Sequence, residues 1–197
     1  MSLFRLTRSP ETEPLIRGDG LYLRPAVAGD FSAWAQLRAQ SRDFLTPWEP
    51  TWPDDDLTRA AFRRRLRRQV EDMTRDESFT FLIFDGVSDA LLGGLTLGGI
   101  RRGVAQAATL GYWMGAPYAG KGCMTRAVAA ASLYGFSSLR LHRIEAACLP
   151  ENIASMTLLE SNGFRREGLA RAYLKIDGAW RDHLLYSLLE HEAPRAF

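Results

Sequence analysis

The chain has 197 residues, enough for one well-cored domain and short for two. Its hydrophobic and charged fractions, 46% and 24%, are ordinary for a soluble globular protein, and no run approaches the roughly 20 apolar residues of a membrane-spanning helix. A formal net charge of +2 is too small to imply nucleic-acid binding by itself, and Cys123 and Cys148 form neither a disulfide framework nor a metal-ligand spacing, so a reduced cytoplasmic protein is expected.

The first fifteen residues lack the continuous apolar core of a secretory signal. Leu15 to Arg24 reads as two short strands around a Gly18-Asp19-Gly20 turn, ended by Pro25, which supplies no ladder donor. Asp30 is placed to cap a helix carrying Phe31, Trp34 and Leu37 on one side. That pattern fades near Asp43 and gives way to FLTPWEPTWP, a stiff loop with three prolines and the aromatics Phe44, Trp48 and Trp52. The loop suits either a lid over a core edge or a substrate wall.

Asp54, Asp55 and Asp56 precede a second helix, where negative charge suits the positive end of the helix dipole. Phe62, Leu66, Val70 and Met73 recur at spacings of three and four, which predicts one buried face. Arg63, Arg64, Arg65, Arg67 and Arg68 fill the other. Such a run is either a solvated face or a contact for an acidic partner such as ribosomal RNA, although no aromatics interleave with it as on a base-stacking surface.

Three strand-like runs follow, Phe79 to Phe84, Leu91 to Ile100 and Ala107 to Met114, joined by turns at Asp85-Gly86 and Arg101-Arg102-Gly103. A glycine-bearing loop, Ala119-Gly120-Lys121-Gly122, then leads into an alanine-rich helix from about Cys123 to Ser138. His142 to Leu149 reads as a strand and Asn152 to Ser161 as a short helix stopped at Asn162-Gly163. Two long strands, Arg165 to Ile176 and Ala179 to Leu189, flank an Asp177-Gly178 hairpin signal, and the tail after Glu190 is expected to fray. This order predicts an α+β fold: one mixed, mostly antiparallel sheet in a single domain over 15–190, with helices on both faces and flexible termini at 1–14 and 191–197.

Strand, glycine loop and helix start together let several backbone N–H groups converge on an anion. The loop has neither the third glycine of a dinucleotide fingerprint nor the Ser or Thr that follows a P-loop lysine, which leaves a cradle for one pyrophosphate or a structural turn. His142, His183 and His191 show no metal-ligand spacing, no Gly-x-Ser-x-Gly elbow occurs, and no histidine is near Cys123 in sequence. Asn152 and Ser155, three apart, share the first turn of one helix as a cap, a ligand contact or both.

With these features the chain resembles the GNAT superfamily of N-acetyltransferases. RDFLTPWEP (Arg42 to Pro50), GYWMGAPYAGKGCMTRA (Gly111 to Ala127) and YLKIDGAWRDHLLYSLL (Tyr173 to Leu189) are similar to the RimJ/RimL branch, which acetylates ribosomal-protein N-terminal alanine, and are nearest its RimJ side. The superfamily loop Gln/Arg-x-x-Gly-x-Gly/Ala falls on Ala119 to Met124; Gly122 matches, while Ala119 and Met124 depart. The resemblance implies acetyl-CoA as co-substrate and no metal. Tyr112, Trp113 and Met114 would bind pantetheine through the backbone, and amides from Gly120 through Lys121, Gly122 and Cys123 to Met124 would hold the pyrophosphate. Asn152 would contact the cofactor, and Ser155 would serve as acid or thiolate stabiliser. Gly115, Ala116 and Pro117 stand where related enzymes carry an acid, which leaves Glu49 as the carboxylate to act as base, directly or through water.

A chain N-terminus, with a pKa of about 7.7–8.0 against about 10.4 for lysine, needs roughly 3–4 kcal/mol less to present a neutral amine, so a weak base suffices for it. The implied activity is acetylation of a protein N-terminal α-amine, with a ribosomal protein as partner and the arginine helix as a contact to the ribosome. Phe44, Trp48 and Trp52 would form the substrate wall. Small-molecule amine acetylation (a polyamine, an antibiotic or an amino-acid-like substrate) and a non-catalytic acyl-CoA-binding module remain alternatives.

Overall fold

In the computed structural model, which describes residues 16–193, the strand Ser78–Asp85 (β3) buries apolar side chains on both faces, Phe81 and Ile83 on one, Leu82 and Phe84 on the other. Such a strand must lie between two layers of helix. It belongs to an eight-stranded sheet. Ile16–Gly18 (β1), Leu21–Arg24 (β2), β3, Leu91–Arg101 (β4), Ala107–Met114 (β5) and Arg143–Cys148 (β6) lie side by side in that order. The last strand, Ala179–Leu189 (β8), is inserted between β6 and the edge strand Arg165–Ile176 (β7). Every neighbouring pair is antiparallel except β5 and β6. This is the mixed, mostly antiparallel α+β sheet expected from the element order.

Phe31–Gln40 (α1), the short Arg42–Leu45 (α2) and Arg59–Thr74 (α3) follow β2, and Trp34, Leu37 and Phe62 pack against Leu82, Phe84 and Leu91. Cys123–Ser137 (α4) and Ile153–Ser161 (α5) cover the opposite face, where Ala127, Val128, Ala131 and Leu159 meet Phe81, Ile83, Leu97 and Ile144. The fully buried small residues at Ala127 and Ala131 let α4 lie close to the sheet. On the sheet, β5 points Tyr112 towards the α4 side and Trp113 towards the α1 side, as the two-residue period requires.

Four local expectations need correction. Asp30 does not cap α1 with its side chain; its carboxylate pairs with Arg24 at 2.8 Å and accepts the Val27 N–H. The cap of α3 is Thr58, whose hydroxyl accepts the Ala61 N–H at 3.1 Å, while Asp55 and Asp56 pair with Arg64 and Arg65 one to two turns into the helix. The apolar stripe of α3 is only partly buried: Phe62 is inside, Leu66 and Met73 are half-buried, and Val70 is 59% exposed. The tail also leaves regular structure later than expected, since Glu190–Glu192 form a 3-10 turn with Glu192 paired to Arg165. The expected flexible segments 1–14 and 194–197, and the predicted strand start at Leu15, lie outside the described residues.

Gly93 and Gly94 of β4 serve its neighbour. A Cβ on Gly93 would stand 2.3 Å from the Trp113 carbonyl oxygen, and one on Gly94 would stand 2.4 Å from Trp113 Nε1. Trp113 can lie flat on the sheet only because Gly94 has no side chain. Gly94→Ala is therefore expected to cost about 1–3 kcal/mol through overpacking, read as a lower urea midpoint with unchanged slope, together with altered Trp fluorescence.

Candidate active site

The sheet opens at its one parallel pair. β5 and β6 pair only from Ala107 and Arg143 to Leu110 and Ala146. Beyond that, Gly111 to Met114 remain bonded to β4, from Thr96 to Gly93, while Ala147 and Cys148 of β6 pair with Leu185 and Leu184 of β8. The β6-facing edge of Gly111 to Met114 therefore has no strand partner. Backbone polar groups left open in this way need a partner from elsewhere.

Just past that edge the chain turns into α4. Gly120 and Gly122 take φ values of +71° and +70°, which side-chain-bearing residues rarely adopt. Gly122 is the N-cap residue, so no side chain satisfies the first-turn N–H groups, and no acidic residue occupies that turn. The first helical bond in this stretch runs from the Arg126 N–H to the Gly122 carbonyl at 3.2 Å. The positive end of α4 is thus open, with Lys121 and Arg126 beside it. Arg126 donates to the Asp19 carbonyl and lies 3.5 Å from Cys123 Sγ.

Across the gap, α5 starts at Asn152, whose Oδ1 accepts the Ser155 N–H at 3.0 Å. That cap fixes Ser155, which is 8% exposed, and sets its Oγ 2.5 Å from Tyr112 Oη. Burial pushes the Tyr112 phenol up to about 12, partly offset by the bond to Ser155. Burial likewise raises the Cys148 thiol, against a lowering contribution from Ser155.

On the other side of β5, Arg38 of α1 is 6% exposed. Its guanidinium donates two hydrogen bonds of 2.7 Å to Glu49, one to each carboxylate oxygen, and lies 4.0 Å from the ring centroid of Trp52 and 4.9 Å from that of Trp113. Trp52 Nε1 donates to the same carboxylate at 2.7 Å. The loop bearing Glu49 is also held from behind, where the Asp177 N–H at the β7–β8 turn donates to the Glu49 carbonyl at 3.0 Å. The Arg38 Nε is buried without a partner.

Two cavities flank this neck. One, of about 540 Å³, contains the open β5 edge, the α4 start and the first turns of α5; the other, of about 570 Å³, lies beneath α3 over Thr80, Gly94, Thr96 and Gly111. They share Glu49, Tyr112 and Trp113. The first is lined by Met114, Gly120, Lys121, Gly122, Cys123, Met124, Asn152 and Ser155, so the residues singled out for cofactor and chemistry converge in one place. Phe44 and Trp48 line it too. Trp52 lines neither cavity and instead stacks on Arg38 and Arg42. The α3 side of the second cavity is mostly polar, formed by Arg64, Arg65, Arg68, Gln69 and Asp72. Arg38 was missed in the sequence because nothing in its spacing distinguishes it from surface arginines. Among the described residues no group of His, Cys, Asp or Glu side chains could hold a metal, and no helix is long and apolar enough to cross a membrane.

Comparison with known proteins agrees with this geometry. The model of the acetyltransferase (GNAT) domain matches residues 20–165. Probable N-acetyltransferase YjcK of Bacillus subtilis is 38% identical over 89% of this chain and 97% of its own length. The [ribosomal protein uS5]-alanine N-acetyltransferase of Escherichia coli is 37% identical over 81% of this chain and 83% of its own. Mycobacterium smegmatis RimJ, solved in complex with CoA-disulfide, superposes with a TM-score of 0.86 at 32% identity, covering 93% of this chain and 90% of that one.

Arg38→Leu strands the Glu49 carboxylate in a mostly buried setting. The variant is expected to lose about 2–4 kcal/mol of stability, while Glu49→Gln, which keeps the Trp52 bond, loses less; urea denaturation of both and of the double variant measures the coupling. A second expectation concerns alkali. The Tyr112 phenol holds its proton to about 12 when folded and releases it near 10 when unfolded, so its contribution is intact below pH 10 and is lost as pH rises towards 12. Tyr112→Phe should flatten the fall in stability between pH 10 and 11.5.

Proposed function

This chain belongs to the GNAT family of acetyltransferases, and from that membership we propose that it transfers the acetyl group of acetyl-CoA to the α-amine of a protein N-terminus, with a ribosomal protein as acceptor. The observation that carries the proposal is the meeting of two cavities at Glu49, Tyr112 and Trp113, of which one has the anion-ready start of α4 and the other does not. The first cavity takes the cofactor and the second takes the acceptor.

The residues present fit acetyl-CoA. Uncapped amides from Gly120 to Met124 would hold its pyrophosphate, and the open edge of Tyr112 to Met114 would bind the pantetheine arm, with a backbone N–H there polarising the thioester carbonyl. The cofactor supplies the activated acetyl group. Ser155 gives its proton to the sulfur as the C–S bond breaks and the C–N bond forms. Three hydrogen bonds already converge on the Glu49 carboxylate, which has about four lone-pair directions. The remaining one suits an acceptor that orients the incoming amine and passes on its proton through water. That is a modest base, adequate for an α-amine and poor for lysine, and it supports the N-terminal acceptor. Relatives named for acting on a ribosomal-protein alanine point the same way. Of the run Arg63 to Arg68 on α3, Arg64 and Arg65 are paired with Asp55 and Asp56, which leaves exposed Arg63, Arg67 and Arg68 as the contact to the ribosome.

Purified protein with acetyl-CoA is expected to acetylate peptides with free N-terminal alanine or serine and to leave an N-terminally blocked peptide with an internal lysine unmodified, as read by mass spectrometry. Transfer to a polyamine or another small amine with none to any peptide would overturn the α-amine assignment.

A further inference from the structure

We propose that Tyr112 is a positioning residue for acyl transfer: its hydroxyl donates to Ser155 Oγ and so leaves the Ser155 proton aimed into the cofactor cavity. The proposal rests on the assignment of Ser155 given above and adds to it the group that sets the direction of its hydroxyl.

The two oxygens are 2.5 Å apart, and the other polar side chain beside Ser155 is the Cys148 thiol, a weak donor and weak acceptor. Each carries one proton, and only one proton can lie between them. If serine donates, a phenolic O–H is left orphaned in a largely buried site; if tyrosine donates, the serine O–H is left over. A phenol is far more acidic than an alkyl alcohol, and its oxygen lone pair is partly withdrawn into the ring. It is the better donor and the poorer acceptor, so the bond runs from tyrosine to serine. The phenol also remains protonated at any ordinary assay pH, because burial holds it up.

Competition for the serine proton is weak. The Asn152 side-chain oxygen already accepts the Ser155 backbone N–H, and the neighbouring Cys148 sulfur is a poor acceptor. Tyr112 and Ser155 both line the cavity that contains the open β5 edge. The leftover proton is thus held ready for an acceptor that arrives with the reaction, the departing sulfur, and the bond from Tyr112 further polarises the hydroxyl that gives it up. The proton count closes: sulfur gains one proton from Ser155, Ser155 recovers one from solvent after release, and Tyr112 keeps its own.

Steady-state kinetics of Tyr112→Phe, Ser155→Ala and the double variant test this. The phenylalanine keeps the ring and all its carbon contacts. Expected are a roughly tenfold fall in kcat for Tyr112→Phe with the KM for acetyl-CoA within twofold of wild type, a larger fall for Ser155→Ala, and no additional fall in the double variant. Wild-type kcat in Tyr112→Phe, or losses that multiply in the double variant, would overturn the positioning role while leaving Ser155 in place. Wild-type kcat in Ser155→Ala would remove both.

Discussion

The parting of β5 from β6 is the constraint on which the rest of the molecule depends. A parallel pair held over only four residues leaves a wedge in an otherwise continuous sheet, and unpaired backbone groups along one side of that wedge. Neither strand is loose: β5 is tied to β4 along its whole length and β6 to β8, so the opening is fixed by the neighbours. The open end of α4 stands beside the wedge and the start of α5 faces it across the gap. Backbone geometry, more than side-chain identity, therefore makes this opening. This explains how the loop tolerates Ala119 and Met124 at two signature positions.

On the acceptor side the organising group is a buried arginine. Arg38 binds the Glu49 carboxylate edge-on while its flat faces lie against two indoles, so one side chain joins α1, the aromatic loop and β5. The guanidinium is suited to this because it is planar, permanently charged and weakly hydrated compared with an ammonium. Glu49 is consequently part of the wall, its carboxylate engaged by three hydrogen bonds.

Much of this was legible in the chain. Strands with period-two alternation, the Asp177-Gly178 hairpin and the Gly120 to Gly122 loop all appear where local chemistry put them, because each is set by neighbours within a few residues. The cofactor and chemistry residues from Tyr112 to Ser155 fall in one cavity. What was not legible depends on contacts distant in sequence. Asp30 looked like a cap and proved to be the partner of Arg24. Val70 fits an apolar stripe perfectly well, yet it is 59% exposed, because periodicity marks a face of the helix and not how far the layer beneath it extends. Arg38 is one arginine among many until Trp52 and Trp113 close on it. Phe44 and Trp48, expected in a substrate wall, line the cavity that contains the start of α4.

The last strand of the chain has a central seat. β8 slots between β6 and β7, and the turn that leads into it bonds to the carbonyl of Glu49, near the opposite end of the sequence. While the chain is being synthesised, residues up to the end of β7 can form the first five strands and two helical layers, but β6 lacks the neighbour that holds it away from β5, and the Glu49 loop lacks its anchor. Pairings of such long sequence separation close late in folding. A chain cut before Ala179 would keep β5 and β6 but lose the strand that holds them apart, so the wedge is a property of the pairing with β8 and not of the two strands that border it.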